Sequence, residues 1–269
     1  MKKISTLVAA LIAIPHFALA AEPAAAAAPA PAVTQAAPAL PFAHGEKLLY
    51  EVSLLGLTAG EAELRAEQSG DGEWRLHASG RTTGATDSLF GLRQSASCTV
   101  QASDLQPQLC LFTSRQRSNM RRTEVRYDTK SGDVVERRLE EGKRTEKKRH
   151  FEGGVQDALS GLYLLRRDLP AQGETMSFQS MRKGKAITVE AKAVGEETIT
   201  TDAGTFRTRV VDLRIVSKVD KDTAQSARVW FSEDPRRLPV KLSLAAPVGS
   251  LVAELTAAAG TLGSSMAER

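Results

Sequence analysis

The sequence predicts a mainly β protein, built from one antiparallel sheet with a single covering α-helix. Apolar and polar residues alternate with a period of two in several segments, and glycine-containing turns lie between them. Only residues 155–167 depart clearly from this pattern and show helical spacing. Alternation of this kind buries one face of each strand and leaves the other in water, as in antiparallel sheets with one wet face.

The alternation is clearest at five places along the chain. In the first, Tyr50, Val52 and Leu54 alternate with Glu51 and Ser53. The other four are residues 62–66, 74–78, 187–191 and 240–244, and turn-forming sequences lie at 69–72, 130–133, 182–185 and 202–204. Strands joined by short glycine-containing turns predict a meander of hairpins.

Residues 155–167 (VQDALSGLYLLRR) predict a helix of about three turns, because Val155, Leu159, Leu162 and Leu165 fall on one face. Pro170 would stop it. A lone amphipathic helix is expected to cover an open face or end of the sheet, and a shorter helical turn is expected at 85–92. Residues 157 and 160, an Asp and a Ser three apart, suggest catalysis, but a carboxylate near a helix start and a small side chain facing the sheet explain them better.

The N-terminus has the features of a secretory signal. Two lysines precede an apolar run over residues 4–19, and small residues at positions 18 and 20 end it. The alternative is a membrane anchor, which needs about 20 apolar residues, and Pro15 interrupts this run. No cysteine follows the run for lipid attachment. We expect cleavage after Ala20 and a soluble periplasmic protein without a transmembrane segment.

The rest of the chain divides into three parts by composition. Residues 21–41 are almost entirely Ala and Pro, which predicts an extended, disordered linker. Residues 42–256 carry the strand patterns and are long enough for one β-rich domain, and 257–269 are expected to be a flexible tail. The formal net charge of +4 falls to +2 once the two leader lysines are removed, which does not indicate a nucleic-acid-binding protein.

Cys98 and Cys110 are the only cysteines of the chain. The oxidising periplasm favours a disulfide between such a pair. The segment 104–107 (DLQP) predicts a turn, and antiparallel pairing centred on Asp104 places residue 98 opposite 110, within reach of a disulfide. Two buried free thiols are the alternative.

Residues 115–150 are rich in charge, with thirteen Lys and Arg against seven Asp and Glu. Several of the arginines are expected to share one face of a strand. Such a face suits an anionic envelope component, such as phosphate groups of lipopolysaccharide, phospholipid head groups or acidic glycan. The alternative is a solvated outer face with interleaved carboxylates. Nucleic acid is not an expected partner, because of the compartment. The arginines are Arg115, Arg117, Arg121, Arg122 and Arg126.

No motif for catalysis, for a metal or for a cofactor stands out. The histidines of the mature chain, His44, His77 and His150, lack the short spacing of a metal site. The chain has no G-x-S-x-G elbow, phosphate-binding glycine loop or C-x-x-C. A dispersed Ser, His and Asp constellation stays open, since triads are recognised by geometry. We expect no cofactor and no enzymatic activity.

Six short segments occur in a distinctive order: 49–50 (LY), 56–60 (GLTAG), 157–160 (DALS), 196–206 (EETITTDAGTF), 230–232 (WFS) and 238–240 (LPV). Together they resemble the exported bacterial domain-of-unknown-function 3108 family, over roughly residues 42–255. That family has no established activity, so the resemblance implies location and fold alone. It implies one long, strongly curved antiparallel sheet, a half-barrel or open barrel similar in outline to periplasmic lipoprotein carriers.

Two functions from different classes follow from this fold. The first is a periplasmic binding or carrier module that holds a hydrophobic or lipid-like envelope ligand on an apolar concave face. The second is an envelope structural or protein-interaction domain whose face is a filled core, and a glycan-acting enzyme is a more distant alternative. The sequence carries no signal for an oligomeric state. The candidate ligand-binding residues are Leu64, Leu76, Val189, Leu242 and, on the helix, Leu162, with Arg121 and Arg122 at the rim.

Overall fold

The structure is a computed structural model that describes residues 39–70, 72–182, 185–216, 226–245 and 249–263. The predicted signal peptide, most of the predicted linker and the centre of the predicted turn at 182–185 lie outside these residues. The strands are β1 (Glu46–Leu54), β2 (Leu57–Gly70), β3 (Glu73–Thr82), β4 (Leu92–Gln101), β5 (Pro107–Gln116), β6 (Asn119–Asp128), β7 (Asp133–Glu140), β8 (Lys143–His150), β9 (Thr175–Arg182), β10 (Lys185–Thr201), β11 (Gly204–Val216), β12 (Ser226–Ser232), β13 (Pro239–Ala245) and β14 (Ser250–Ala259), and the helices are α1 (Gly84–Phe90) and α2 (Ala158–Arg167).

The fourteen strands of the described chain form one antiparallel sheet. β1 to β8 follow one another as a meander, and β9 to β14 form a second meander that joins the first where β14 pairs with β1. The segment containing α2 connects the two edge strands, β8 and β9, so strand pairing does not close the sheet into a barrel. The predicted mainly β fold, with one curved antiparallel sheet and a covering helix, is confirmed.

The period of two in the sequence becomes two distinct faces of the sheet. In β1, Leu48, Tyr50 and Val52 are buried while Glu51 is exposed. We call the face with these buried residues the inner face and the opposite one the outer face. The edge strand β8 (KRTEKKRH) is exposed along almost its whole length. Its dense charge disfavours pairing with another chain at this edge.

The hairpins give the sheet two ends. We call the end at which β1 turns into β2 the upper end, and the opposite one the lower end. Because successive strands alternate in direction, the β3–β4, β5–β6 and β7–β8 connections also lie at the upper end. The short helix α1 is the β3–β4 connection, close to the position of the predicted helical turn.

The helix α2 starts at a capping box. The Asp157 carboxylate accepts hydrogen bonds from the backbone N–H of Leu159 and Ser160, at 2.7 and 3.2 Å, and the Ser160 hydroxyl accepts one from the Asp157 N–H at 3.1 Å. Both residues therefore have a structural role at the start of α2. The helix begins three residues later than the sequence predicts, because the backbone N–H of Gln156 instead donates to the carbonyl of Gln179 on β9.

The helix lies against the lower part of the inner face. Leu159 and Tyr163 of α2 pack in a buried cluster with side chains of β3, β4 and β5. The ring of Phe42 meets those of Trp74 and Tyr163 edge to face, with 4.9 Å between ring centroids in both pairs. On its other side, Leu165 packs against β10, β11 and β12. The helix therefore joins the two meanders through a shared core.

The folded domain extends slightly beyond the predicted limits of 42–256. Leu40 packs against the core, and the carbonyl of Pro41 accepts a hydrogen bond from Arg166 at 3.2 Å. At the other end β14 continues to Ala259, which pairs with Lys47 of β1. These alanines show no apolar–polar alternation, so backbone pairing with β1 extends the strand where the sequence pattern does not.

Candidate ligand site on the inner face

The inner face is filled at its lower end and less covered at its upper end. Below, α2 and Phe42 occupy the space inside the curved sheet. Ile199 and Phe206, near the tip of the β10–β11 hairpin, pack against the buried cluster of β1, β13 and β14. These contacts use most of the lower inner face as protein core.

Towards the upper end, apolar side chains continue across the inner face and are only partly buried, although Ala191 and Leu213 still pack in the cluster that contains Leu165 of α2. One cross-strand row runs from β1 to β10 through directly paired residues. Only its residues on β10 and β14 are fully buried, and the other four are half-buried. The row is Leu54, Leu251, Leu244, Ala227, Leu213 and Ala191. Half-buried apolar side chains on a concave face form a surface that an apolar ligand can cover.

A narrow crevice opens on the same part of the inner face, between β1, β2, β3, β4 and β14. It offers about 30 Å³ of free space. A larger ligand therefore has to extend from the crevice along the half-buried row. The lining residues are Val52, Ala59, Gly60, Glu61, Ala62, Gly80, Arg81, Leu92, Gln94 and Leu251.

The five predicted apolar lining residues do not share one environment. Leu64 and Leu242 are half-buried at the borders between core clusters, and Leu162 of α2 is half-buried beside Leu242. Val189 is half-buried on β10, paired with Phe178 and Ile215. Leu76 has no exposed surface and packs in the core with α2, so the structure places it beneath the helix and away from any open surface.

Arg121 and Arg122 lie on opposite faces of β6, as adjacent residues of a strand must. Arg121 shares the inner face with the buried Val125, and its Nε donates to Glu140 at 3.0 Å. Arg122 is on the outer face with Arg126. The two arginines therefore cannot contact one head group from the same side.

Among the apolar side chains of β4 to β7, the inner face also carries polar and charged ones, which the sequence did not predict. Glu136 is buried on β7, and Arg138 on the same face donates to it at 3.1 Å. On the same face and closer to the upper end, the Gln94 amide donates to the Ser114 hydroxyl at 3.3 Å, and Ser114 is directly opposite Arg121. The alternation of Val134, Glu136 and Arg138 was the available signal, because Glu and Arg occupy positions in phase with a buried valine. The interior thus has an apolar part and a polar, charged part.

The outer face carries a separate recess of about 710 Å³ over β1, β2 and β3. Its lining includes Glu61, which pairs with Arg81 at 2.6 Å, and Glu63, which pairs with Lys47 at 3.3 Å. Glu51 also lines it, directly opposite Glu61 and Glu254 in register. Charged side chains therefore line part of this recess, whereas the inner row has none.

One group of potential metal ligands lies close together in the described residues. The sulfurs of Cys98 and Cys110 and a carboxylate oxygen of Asp157 lie within 4.8 Å of one another. The two cysteines are directly opposite on β4 and β5, with a Cα–Cα distance of 4.2 Å, and form a disulfide. The predicted pairing is therefore confirmed, and the bonded sulfurs offer no thiolate to a metal.

Burial raises the pKa of Asp157 above its ordinary value, and the hydrogen bonds from Ser160 and Leu159 oppose this rise only in part. At α1, hydrogen bonds from Arg93 and Thr82 lower the pKa of Asp87 to about 2.

In the described part of the chain, no helix is long and apolar enough to cross a membrane.

Comparisons with known proteins place the chain among proteins of unknown function. A family model described as Protein of unknown function (DUF3108) matches residues 49–256. Among curated proteins, none matches this sequence. The β-barrel-like protein of domain of unknown function DUF1849 from Brucella abortus is similar in fold, with a TM-score of 0.58 and 10% identity, covering 80% of this chain and 97% of that chain.

Two further solved structures show weaker similarity. A protein described as exported, with a YmcC-like fold, from Bacteroides fragilis has a TM-score of 0.36 and 12% identity, covering 83% of this chain and 100% of that chain. A protein described as a lipoprotein from Parabacteroides distasonis has a TM-score of 0.35 and 11% identity, covering 84% of this chain and 100% of that chain.

Proposed function

We propose that this chain, which belongs to the DUF3108 family, is a periplasmic, non-enzymatic carrier of a hydrophobic or lipid-like envelope ligand. The observation that carries this proposal is the half-buried apolar row on the upper inner face. The leader-like N-terminus and the Cys98–Cys110 disulfide support export to an oxidising compartment. The structural or interaction domain with a filled core is the competing function, and the filled lower end is compatible with it.

Magnitudes favour the apolar row as the source of affinity. Covering apolar surface gains roughly 25 cal/mol per Å², so an acyl chain that covers a few hundred Å² gains several kcal/mol. An exposed ion pair contributes about 0–1 kcal/mol. The polar part of the inner face, with Gln94, Arg121 and Arg138, would then orient the head of an amphipathic ligand.

A fluorescent fatty-acid probe tests the proposal. Val189→Trp or Leu242→Trp adds bulk to the half-buried inner surface and should weaken probe binding at least tenfold. Leu64→Trp makes the same test at the border between two core clusters. Leu111→Trp is the matched control, because Leu111 is exposed on the outer face of β5. Circular dichroism should show an intact sheet in each variant.

The two arginines provide a second comparison within the same assay. Arg121→Gln on the inner face should weaken binding of an anionic probe modestly and mainly at low salt, whereas Arg122→Gln on the outer face should not. Absence of probe binding to the wild-type protein would reject the carrier. Equal losses of probe binding in Leu111→Trp and Val189→Trp would also reject it.

A further inference from the structure

We propose that the upper end of the sheet docks onto the surface of an anionic phospholipid bilayer. Exposed leucines of the upper end would enter the interface, and four arginines and one lysine that have no carboxylate partner among the described residues would contact the head groups. This inference goes beyond the proposed carrier function, because it concerns a partner surface outside the inner face.

The first observation is where the exposed apolar side chains lie. Eight large hydrophobic residues of the described chain are exposed, and five of them are at the upper end. Leu57 is 74% exposed, Leu89 64% and Leu55 61%. Clustering of exposed apolar side chains at one end marks an interaction surface more clearly than single scattered residues do. The five are Leu55 and Leu57 at the β1–β2 turn, Leu89 on α1, Met120 on β6 and Leu139 on β7.

Leucine is an unfavourable residue for the turn position that Leu55 occupies. It has a φ of 54° and is followed by Gly56 with a φ of 76°, in a two-residue hairpin that closes with the Leu54–Leu57 pair. Asn, Asp and Gly are the residues that favour such left-handed positions, and a leucine there is strained. The Leu55 side chain lies against Gly249 but stays 61% exposed, so this one contact within the chain leaves most of an apolar, strained side chain free for a contact outside it.

The second observation is the charge around these side chains. In the part of the chain that the structure describes, no carboxylate lies within ion-pair distance of five cationic side chains near the upper end. Arg115 is directly opposite Met120 in the β5–β6 pair, and Leu139 is directly opposite Arg122 and Arg144. Cationic side chains beside exposed apolar ones complement a bilayer with anionic head groups. The five are Arg115, Arg117, Arg122, Lys143 and Arg144.

The upper-end segments are also held to one another. Arg117 donates through Nη2 to the carbonyl of Leu89 at 2.7 Å and through its backbone N–H to Gly91 at 3.1 Å. The backbone N–H of Thr83 donates to the carbonyl of Ala59 on β2 at 3.1 Å. The β1–β2 turn, α1 and the β5–β6 turn therefore form a connected surface, beside the end at which the inner face is less covered.

Flotation with vesicles tests this proposal, using phosphatidylcholine alone and phosphatidylcholine mixed with phosphatidylglycerol. The wild-type protein should bind the mixed vesicles at low salt and the neutral ones much less. Leu57→Asn with Leu89→Asn should lower partitioning about tenfold for each leucine. Arg115→Gln and Arg122→Gln should each lower it about fivefold at low salt, with a smaller effect at high salt.

Leu55→Asn separates docking from folding. Asn suits the left-handed position, so the melting temperature should stay the same or rise while vesicle binding falls. Leu111→Asn, on the exposed outer face of β5, is the matched control and should leave vesicle binding unchanged. No binding of the wild-type protein to anionic vesicles would overturn the proposal. Losses of vesicle binding as large in Leu111→Asn as in Leu57→Asn would also overturn it. So would the finding that only a self-associated form of the protein binds vesicles and that the upper-end variants abolish this self-association.

Different results would reject the carrier function and the docking surface. Val189→Trp should lose the fatty-acid probe and keep vesicle binding, whereas Leu57→Asn should keep the probe in solution and lose the vesicles. A protein that binds vesicles but no probe would reject the carrier and retain the docking surface. Probe binding without vesicle binding would do the reverse.

Discussion

Arg166 of α2 and Glu46 of β1 form a fully buried ion pair through two hydrogen bonds, Nη1 to Oε1 at 2.7 Å and Nη2 to Oε2 at 2.8 Å. The same guanidinium donates to the carbonyls of Pro41, Arg236 and Arg237 at 2.9 to 3.2 Å. One side chain therefore joins the helix, the start of the first strand and the β12–β13 loop. This network holds the lower end of the sheet together.

Removing one partner of this pair should be costly, because the other charge stays buried without compensation. Arg166→Met should lower the free energy of unfolding by about 3–5 kcal/mol, measured by urea denaturation. The double change Arg166→Met with Glu46→Met should cost less than either single change. Arg81→Met, at an ion pair whose side chains are both 55% exposed, is the control and should cost at most about 1 kcal/mol. Equal effects at the two sites would contradict this assignment.

The cross-strand disulfide should contribute to stability mainly by restricting the unfolded chain. It links residues 12 apart, so replacing both cysteines by alanine should lower the free energy of unfolding by about 2–4 kcal/mol in the chain-entropy model. Labelling of denatured, unreduced protein should detect no thiol, and labelling after reduction should detect both. Two reactive thiols before reduction would show that the bond is not formed.

Asp157 should make stability depend on pH in a direction opposite to that of most surface carboxylates. Burial raises its pKa in the folded state, so the folded protein binds this proton more tightly than the unfolded chain does. The resulting stabilisation is fully present below the pKa of the unfolded chain, near 3.8. It is lost as pH rises from that value through the higher pKa of the folded protein.

Asp157→Asn removes this titration and keeps an acceptor at the helix cap. The variant should therefore gain stability relative to wild type as pH rises above 4, as measured by denaturation at several pH values. Asp157→Ala is the comparison. It also removes the helix cap and should lower the free energy of unfolding by about 0.5–2 kcal/mol. A constant difference between Asp157→Asn and wild type at all pH values would contradict the shifted pKa.

Gly60 should tolerate no side chain, since β2 and β3 approach closely there. A Cβ at this position would lie 2.2 Å from the backbone carbonyl oxygen of Arg81. Gly60→Ala should destabilise by about 1–3 kcal/mol through the required backbone shift. Gly195→Ala is the control, because a Cβ there meets no atom within 4 Å. A melting temperature for Gly60→Ala equal to that of the control would show that the sheet adapts at this point.

The sequence predicted features that depend on neighbouring residues and on local pairing. Cys98 and Cys110 follow from a single hairpin around Asp104, and the end of α2 follows from Pro170. The start of α2 was placed too early because Val155 continues the helical apolar spacing, whereas the backbone before Asp157 pairs with the distant strand β9. Contacts between segments so far apart in the chain leave no periodic signal.

The candidate site was predicted only in part for the same reason. Period-two alternation correctly put Leu64, Leu76 and Leu242 on one face. It could not show that α2 would cover Leu76 and leave Leu242 half-buried, since that depends on where the helix docks. Grouping Arg121 with Arg122 disregarded the alternation of adjacent residues, and the buried Glu136 was interpreted only as one of the solvated carboxylates between the arginines.

Native mass spectrometry of the protein isolated from the periplasm of its own bacterium tests the carrier most directly. We expect the polypeptide, with the Cys98–Cys110 bond intact, together with an adduct of the mass of an acyl lipid. The adduct should be reduced in Val189→Trp and retained in Leu111→Trp. A spectrum with only the bare polypeptide, from protein that also binds no fatty-acid probe, would contradict the carrier function and favour the interaction domain with a filled core.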